Sequence, residues 1–198
     1  MSLFNSLRRM RAPLLARSRI MPALLPCQKR TYCPLLPLET DEIAPPSDIT
    51  PPFNLEKALR KTRTAEDAWN TRDAVKISMC YAPDCKWRNR SQFLHGRDEI
   101  QAFLKTKWEK ELDYRLIKEM WCYTDDKIGV RFQYEWRDDK GQWYRSYGNE
   151  MWHFNADGMM SRREASINDV AITEIDRRFT WPIGARPDYH LGLANSPE

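Results

Sequence analysis

Carboxylate, guanidinium and amide side chains are concentrated in two stretches of the chain, 149–154 and 163–169, where they alternate with aromatic and aliphatic residues. The members with carboxylate, guanidinium or amide groups are Asn149, Glu150, Arg163, Glu164, Asn168 and Asp169. Both stretches are typical of β-strands, and a sheet covered by helices buries one of its faces. Buried polar groups must be paired, so an enclosed carboxylate beside an arginine is a candidate for general acid/base chemistry.

Strand alternation selects Glu150 as the candidate general base. Glu150 shares a side with Trp152 and Phe154, where loss of hydration would raise the carboxyl pKa and suit the group to proton transfer near neutrality. Two alternatives remain open, a structural ion pair with an arginine such as Arg163, or a surface position. A bulge at Gly148 would reverse this alternation.

The predicted strand 127–137 alternates apolar and polar residues without error. We expect Tyr134 and Trp136 to face inward, and Arg131 and Glu135 to face solvent or a dimer partner. In a pocket, the Tyr134 hydroxyl would donate a hydrogen bond to a developing oxyanion.

Further candidates lie on a predicted short strand, 85–90, and at the end of the last strand. Trp87 and Asn89 point the same way in an extended strand, where Asn89 would orient a ligand or a water molecule. Arg90 would favour an anionic ligand if it reaches the pocket, and otherwise it pairs at the surface. Asp169 either assists the base at the mouth of the pocket or caps a turn.

Several catalytic and metal-binding patterns are missing from the sequence. It contains no nucleophile elbow, phosphate-binding loop, HExxH motif or Ser-His-Asp order. The five cysteines include no CxxC pair, and Cys80 and Cys85 fit buried thiols better than metal ligands with His95. We therefore expect neither a metal nor a cofactor.

Composition predicts one globular domain with appendages. The chain has 198 residues, of which 41% are hydrophobic and 30% charged. A mean hydropathy of −0.74 argues against an integral membrane protein. The net charge of +4 is misleading, because residues 39–198 carry 25 basic and 28 acidic side chains. An acidic body argues against nucleic-acid binding.

The first 38 residues differ in chemistry from the rest of the chain. They hold seven basic residues, no acidic residue and apolar side chains at helical spacing. This pattern is typical of a mitochondrial transit peptide, so we expect import into the matrix; a plastid signal or an unstructured basic tail are the alternatives. Nine of the 13 prolines fall within the first 52 residues, which makes 39–52 a predicted linker.

Apolar spacing predicts three helices followed by a sheet. The helices cover residues 55–69, 74–81 and 98–112. The four long strands, separated by turn residues, cover 114–123, 127–137, 142–154 and 159–170. This order predicts an α+β fold in which the helices close one side of a strongly curved antiparallel sheet.

Several sequence strings resemble the DUF1348 group of SnoaL-like proteins within the nuclear transport factor 2 (NTF2-like) superfamily. The strings are 87–90 (WRNR), 112–116 (LDYRL), 130–136 (VRFQYEW), 142–150 (QWYRSYGNE) and 165–169 (ASIND). The resemblance covers roughly residues 52–193. It implies an NTF2-like cone with a pocket open at one end, as in isomerases, cyclases, dehydratases and epoxide hydrolases of the superfamily. It also implies a homodimer formed through the sheet.

We therefore expect one SnoaL-like domain at 53–193 that binds a small polar or anionic molecule. Cofactor-independent acid/base catalysis would use Glu150, Tyr134 and Asp169. The predicted ligand contacts are Trp87, Asn89, Arg90, Trp136, Asn149, Trp152, Arg163 and Asn168. The alternative is a non-catalytic binding or scaffolding module built on the same cone. Neither nucleic-acid binding nor membrane insertion is expected.

Overall fold

The structure is a computed structural model that describes residues 49–193, so the predicted leader and most of the predicted linker lie outside the described residues. The helices are α1 (Leu55–Asn70), α2 (Ala74–Ser78) and α3 (Gly96–Lys110). The strands are β1 (Tyr81–Asn89), β2 (Gln92–His95), β3 (Leu112–Tyr123), β4 (Lys127–Arg137), β5 (Trp143–Phe154) and β6 (Met160–Ile172). A 3₁₀ turn, Glu174–Asp176, follows β6. Within the described residues, no helix has the length and apolar character that crossing a bilayer requires.

The three predicted helices are present. The Asn54 carboxamide caps α1 by accepting from the Lys57 N–H at 2.8 Å, and Asp73 caps α2 by accepting from the Lys76 N–H at 3.0 Å. Helix α2 ends at Ser78, three residues earlier than predicted, because Tyr81 already belongs to β1.

The six strands form one mixed sheet in the order β2-β1-β6-β5-β4-β3. Strands β3 to β6 form the predicted antiparallel meander, whereas β1 runs parallel to β6. Strand β2 was not predicted, because it has only four residues and its hairpin turn, Arg90-Ser91, lacks the usual Gly or Asn. Arg90 adopts a left-handed φ of 57° in that turn.

Helix α1 covers the free edge of strand β3. The Asn70 carboxamide accepts from the Leu116 N–H at 2.8 Å and donates to the Leu116 carbonyl at 2.9 Å. One turn earlier, Glu66 accepts from the Lys118 N–H at 2.7 Å. These side chains satisfy backbone groups that an open sheet edge would expose.

The last described residues form a C-terminal strap, residues 177–193, over the outer face of the sheet, the face opposite the helices. Phe179, Trp181 and Leu193 of this strap pack with Ile117 of β3 in a second apolar cluster. Arg186 attaches the strap to α1 by donating to Glu66 at 2.7 Å.

The predicted exposure of Glu135 is wrong, because the strap covers this residue and buries it fully. Its carboxylate accepts from Arg145 Nη2 at 2.7 Å and from the backbone N–H groups of Arg178 and Phe179 at 3.0 Å. Alternation correctly placed Glu135 on the outer face, but the strap covers that part of the face.

The end of the predicted linker packs on the domain. Ile49 is 1% exposed and belongs to the main core. Lys61 donates to the carbonyls of Ile49 at 3.2 Å and of Gly158 at 2.7 Å, which fastens this segment to the β5–β6 turn.

Gly148 lies on the inner face of β5 against the ring of Phe132. The register of β5 with both neighbours is continuous through Gly148, so no bulge reverses the alternation there. A Cβ atom at this position would overlap the Phe132 ring. The close approach of ring and backbone therefore requires glycine.

We expect Gly148→Ala to lower the free energy of unfolding by about 1–3 kcal/mol, since the added methyl group must displace Phe132. Gly192→Ala is the control, because its Cβ would meet no atom within 4 Å. Urea unfolding of both variants measures the difference, and equal stabilities would contradict this packing.

Candidate functional site

A cluster of three charged side chains lies at the centre of the inner face. Glu150 of β5 pairs through one carboxylate oxygen with Lys118 Nζ of β3, and through the other with Arg163 Nε of β6 at 2.5 Å. The side chains of all three are at most 3% exposed. Asn89 accepts a hydrogen bond from Arg163 Nη1 at 3.3 Å. We call Lys118, Glu150 and Arg163 the ion cluster.

Aromatic rings surround the ion cluster. The Arg163 guanidinium lies 4.5 Å from the ring centroid of Trp87 and 5.0 Å from that of Trp69. Lys118 Nζ lies 4.7 Å from the Phe132 centroid and 5.3 Å from that of Trp152. The ring faces are negative, so they help to stabilise two cations that share one carboxylate.

The electrostatics of Glu150 differ from the sequence-based expectation. Burial alone would raise the carboxyl pKa, but the adjacent Arg163 and Lys118 outweigh it and lower the pKa. The predicted rise is therefore wrong, because two cations accompany the carboxylate in its apolar surroundings. A carboxylate with a lowered pKa and both oxygens engaged is a weak base.

A second polar network lies on the inner face beside the β1–β2 turn. We call this region the mouth. Arg90 Nη2 donates to the Tyr134 hydroxyl at 3.3 Å and to Asp169 at 2.5 Å. Asp169 also accepts from the Ser146 hydroxyl at 2.6 Å, and Ser146 accepts from the Trp136 indole N–H at 3.0 Å. The β1–β2 turn, β4, β5 and β6 each contribute to this network.

Lys107 of α3 brings a further cation to the Tyr134 ring. Its Nζ lies 4.5 Å from the Tyr134 ring centroid and pairs with Glu111. Burial disfavours the charged form, but Glu111 and Tyr134 together hold the pKa of Lys107 above its ordinary value. Lys107 is therefore a cation although its side chain is 7% exposed.

A cleft of about 560 Å³ opens between α3 and the β1–β2 hairpin. We call it the α3 cleft. Its polar end is formed by Asn89, Arg90 and Lys107. Its remaining lining includes Gln92, Leu94, Glu99, Ala102, Phe103, Thr106, Lys110 and Glu111. The cleft thus joins an apolar wall to a polar end that carries Arg90, Lys107 and the Glu111 carboxylate paired with Lys107.

The structure divides the sequence-predicted site residues into three groups. The centre of the inner face holds Trp87, Asn89, Glu150, Trp152 and Arg163. The mouth holds Arg90, Tyr134, Trp136 and Asp169. Asn149 and Asn168 lie exposed on the outer face, since each directly adjoins an inward-facing residue of its strand. That placement removes both from the predicted pocket.

Sequence reasoning missed Lys118 and Lys107. The spacing of Lys107 could have revealed it, because it follows Phe103 by one helical turn and so lies on the buried face of α3. No sequence pattern could have placed Lys118 on the inner face, since apolar residues on both sides of β3 obscure the alternation around it. Within the described residues, no group of three or more His, Cys, Asp or Glu side chains is placed to hold a metal ion.

Comparison with known proteins identifies similar sequences and folds. The model of the family described as "Protein of unknown function (DUF1348)" matches residues 51–180. Comparison with curated proteins found no match.

Solved structures share the fold at low sequence identity. An NTF2-like protein of unknown function from Burkholderia pseudomallei is 19% identical, with a TM-score of 0.51 over 56% of this chain and 90% of that one. A putative SnoaL-like polyketide cyclase from Shewanella denitrificans is 15% identical, with a TM-score of 0.50 over the same shares. The epoxide hydrolase/cyclase-like enzyme SalBIII is 9% identical, with a TM-score of 0.52 over 57% and 92%.

Neutralising Glu150 would leave Lys118 and Arg163 in the core without a counter-charge. We expect Glu150→Gln to lower the free energy of unfolding by about 3–5 kcal/mol, and Lys118→Met, which preserves the Glu150–Arg163 pair, to lower it less. The double variant should recover part of the loss. Urea unfolding of the three variants measures these differences, and equal losses in the single variants would contradict the assignment.

The difference in free energy of unfolding between the wild-type chain and Glu150→Gln should also depend on pH. The folded-state pKa of Glu150 lies below the ordinary 4.5, so its ionised form stabilises the fold above pH 4.5. This contribution is lost as the pH falls through the folded-state pKa of Glu150. The difference in free energy of unfolding between the two chains should therefore become smaller at low pH.

Proposed function

Because the chain belongs to the family of proteins of unknown function DUF1348, with an NTF2-like and SnoaL-like fold, we propose that it binds a small organic anion in the α3 cleft. The observation that carries this proposal is the composition of the cleft. Leu94, Ala102 and Phe103 offer an apolar wall, and the three cations of the lining, Arg90, Lys107 and Lys110, exceed its two carboxylates, Glu99 and Glu111. Specific ligand sites combine such an apolar lining with a few placed polar groups.

The fixed position of the Arg90 side chain supports the same assignment. Its left-handed φ is the one that the first position of a two-residue hairpin turn adopts. Here the Arg90 N–H donates to the Ala165 carbonyl at 3.0 Å, and its Nη1 donates to the Ile167 carbonyl at 2.8 Å. The guanidinium is thereby fixed at the edge of the cleft before a ligand arrives, which lowers the entropic cost of binding.

Acid/base turnover is the second candidate function, and one observation favours it. The Tyr134 hydroxyl accepts from Arg90, and its ring lies beneath Lys107. Two cations beside this hydroxyl would stabilise negative charge that develops on a bound oxygen. In this alternative Tyr134, which is 1% exposed and lies behind Arg90 and Lys107 of the cleft lining, is the proton donor, since Glu150 is engaged by Lys118 and Arg163.

We expect native mass spectrometry of the full chain, incubated with a mitochondrial metabolite extract, to show a bound organic anion. Lys107→Met should weaken its capture by about tenfold, the effect of losing one charged contact. Lys105→Met is the matched control on the same helix, because Lys105 is exposed and does not line the α3 cleft.

The recovered molecule separates the two candidate functions. A product released by the wild-type chain but not by Tyr134→Phe supports turnover, whereas recovery of one unchanged molecule from both supports binding alone. An equal loss of capture in Lys107→Met and Lys105→Met would place the ligand elsewhere and overturn the proposal.

We also propose that residues 1–38 direct the chain to the mitochondrial matrix, on the basis of their seven basic and no acidic residues. A fluorescent protein fused behind residues 1–40 should accumulate in the matrix. The same fusion with Arg8, Arg9 and Arg11 changed to Glu should remain outside. Cytosolic fluorescence from the unchanged fusion would contradict the proposal.

A homodimer through the outer face is a further proposal. Trp121, Tyr147 and Met151 present apolar side chains there that are 69%, 40% and 62% exposed. We expect sedimentation analysis to give a dimer that Met151→Lys shifts towards monomer. Ile175→Lys is the control, since Ile175 is 91% exposed in the 3₁₀ turn. A wild-type monomer at micromolar concentration would refute the dimer.

A further inference from the structure

Basic side chains form a continuous row across five adjacent strands of the outer face. In the register of the sheet, Lys86 of β1 lies between His95 of β2 and Arg162 of β6. The next two strands add His153 opposite Arg162 and Lys127 opposite His153. Since neighbouring strands are about 4.8 Å apart, this basic row is about 19 Å long.

Like charges placed directly opposite each other destabilise a sheet, and Lys86 and Arg162 are such a pair. Nearby carboxylates balance only part of the row. Glu164 accepts from Arg162 Nε at 2.7 Å, and Asp126 pairs with Lys127 at 3.1 Å at the far end. Among residues 49–193, no carboxylate forms an ion pair with Lys86. The basic row therefore retains unbalanced charge at its β1 end.

A groove of about 670 Å³ lies over this unbalanced end. Lys86, Arg88, Arg162 and His95 line it, and Phe93, which is 76% exposed, borders it. The groove therefore brings cationic side chains from two strands to a ring that is open to stacking.

Two carboxylates also line this outer groove. Glu164 is engaged by Arg162, as described above, and Glu99 accepts the His95 N–H at 2.7 Å. Both oppose an anion, but Lys86 forms no ion pair among residues 49–193, and Arg162 engages Glu164 through Nε and Nη2, which leaves its Nη1 for an anion. An anion between Lys86 and Arg162 would relieve their repulsion.

We propose that the outer groove is a second ligand site, which takes a phosphate ester with a flat, apolar body. A phosphate offers several acceptor oxygens, so it can be held by Lys86 and Arg162 at once. The flat part would stack on Phe93. The outer groove and the α3 cleft share Leu94 and Glu99 in their linings but present different cations, Lys86 and Arg162 in the outer groove and Arg90 and Lys107 in the α3 cleft, so this inference goes beyond the proposed function.

Isothermal titration of the full chain with ADP, inorganic pyrophosphate and adenosine tests the site. ADP and pyrophosphate should both bind, ADP about threefold or more tightly because of stacking, and adenosine should not bind measurably. Binding should weaken as salt is added, as expected for exposed charges.

Single-residue variants test which residues bind the phosphate groups and which residue stacks on the flat part of the ligand. Lys86→Gln and Arg162→Gln should each weaken ADP and pyrophosphate binding by about tenfold. Phe93→Ala should weaken ADP but leave pyrophosphate unchanged, and Lys105→Gln should change neither. In the absence of ligand, Lys86→Gln should raise Tm, because it removes the repulsion with Arg162; Lys105→Gln should not.

Three outcomes would overturn the proposal. The first is no binding of ADP or pyrophosphate at about 1 mM in low salt. The second is an equal effect of Lys86→Gln and Lys105→Gln on binding. The third is binding to vesicles of anionic lipid without binding of ADP, which would assign the basic row to a membrane surface. ADP binding that survives Lys107→Met separates this site from the α3 cleft.

Discussion

The burial of two cations and one carboxylate among aromatic rings is the constraint on which the rest of this structure depends. Lys118, Glu150 and Arg163 come from three different strands, and displacement of Glu150 would leave unbalanced charge in the core. A shift of one residue in strand register would turn a member of the ion cluster to the outer face. The ion cluster therefore favours one alignment of β3, β5 and β6, and that alignment holds Tyr134 and Asp169 at the mouth.

The open space of the inner face lies away from its centre, because the ion cluster occupies that centre. Aromatic rings and paired charges fill the middle, and the accessible space lies towards α3 and the β1–β2 hairpin. Chemistry at Glu150 would require a ligand to displace both Lys118 and Arg163, whereas Arg90 and Lys107 line an open cleft although each is paired with a carboxylate. The inner face thus has a filled centre and an open edge, and the proposed ligand site lies at that edge.

Alternation along single strands carried most of the correct sequence predictions. It placed Tyr134, Trp136 and Glu150 on the inner face, because each lies between outward residues in an uninterrupted strand. The misses at Glu135 and Glu150 share a cause, namely contacts between segments that are remote in sequence. The burial of Glu135 depends on the strap, and the lowered pKa of Glu150 depends on Arg163 of the neighbouring strand and on Lys118, two strands away. No local pattern contains either contact.

The C-terminal strap also determines what the outer face presents to its surroundings. It covers Ile117 and supplies two of the donors to Glu135, the N–H groups of Arg178 and Phe179. Detachment of the strap would uncover an apolar side chain on β3 and leave the Glu135 carboxylate without both of these donors. That part of the sheet would then carry an exposed apolar patch beside a charge, which is a surface prone to self-association.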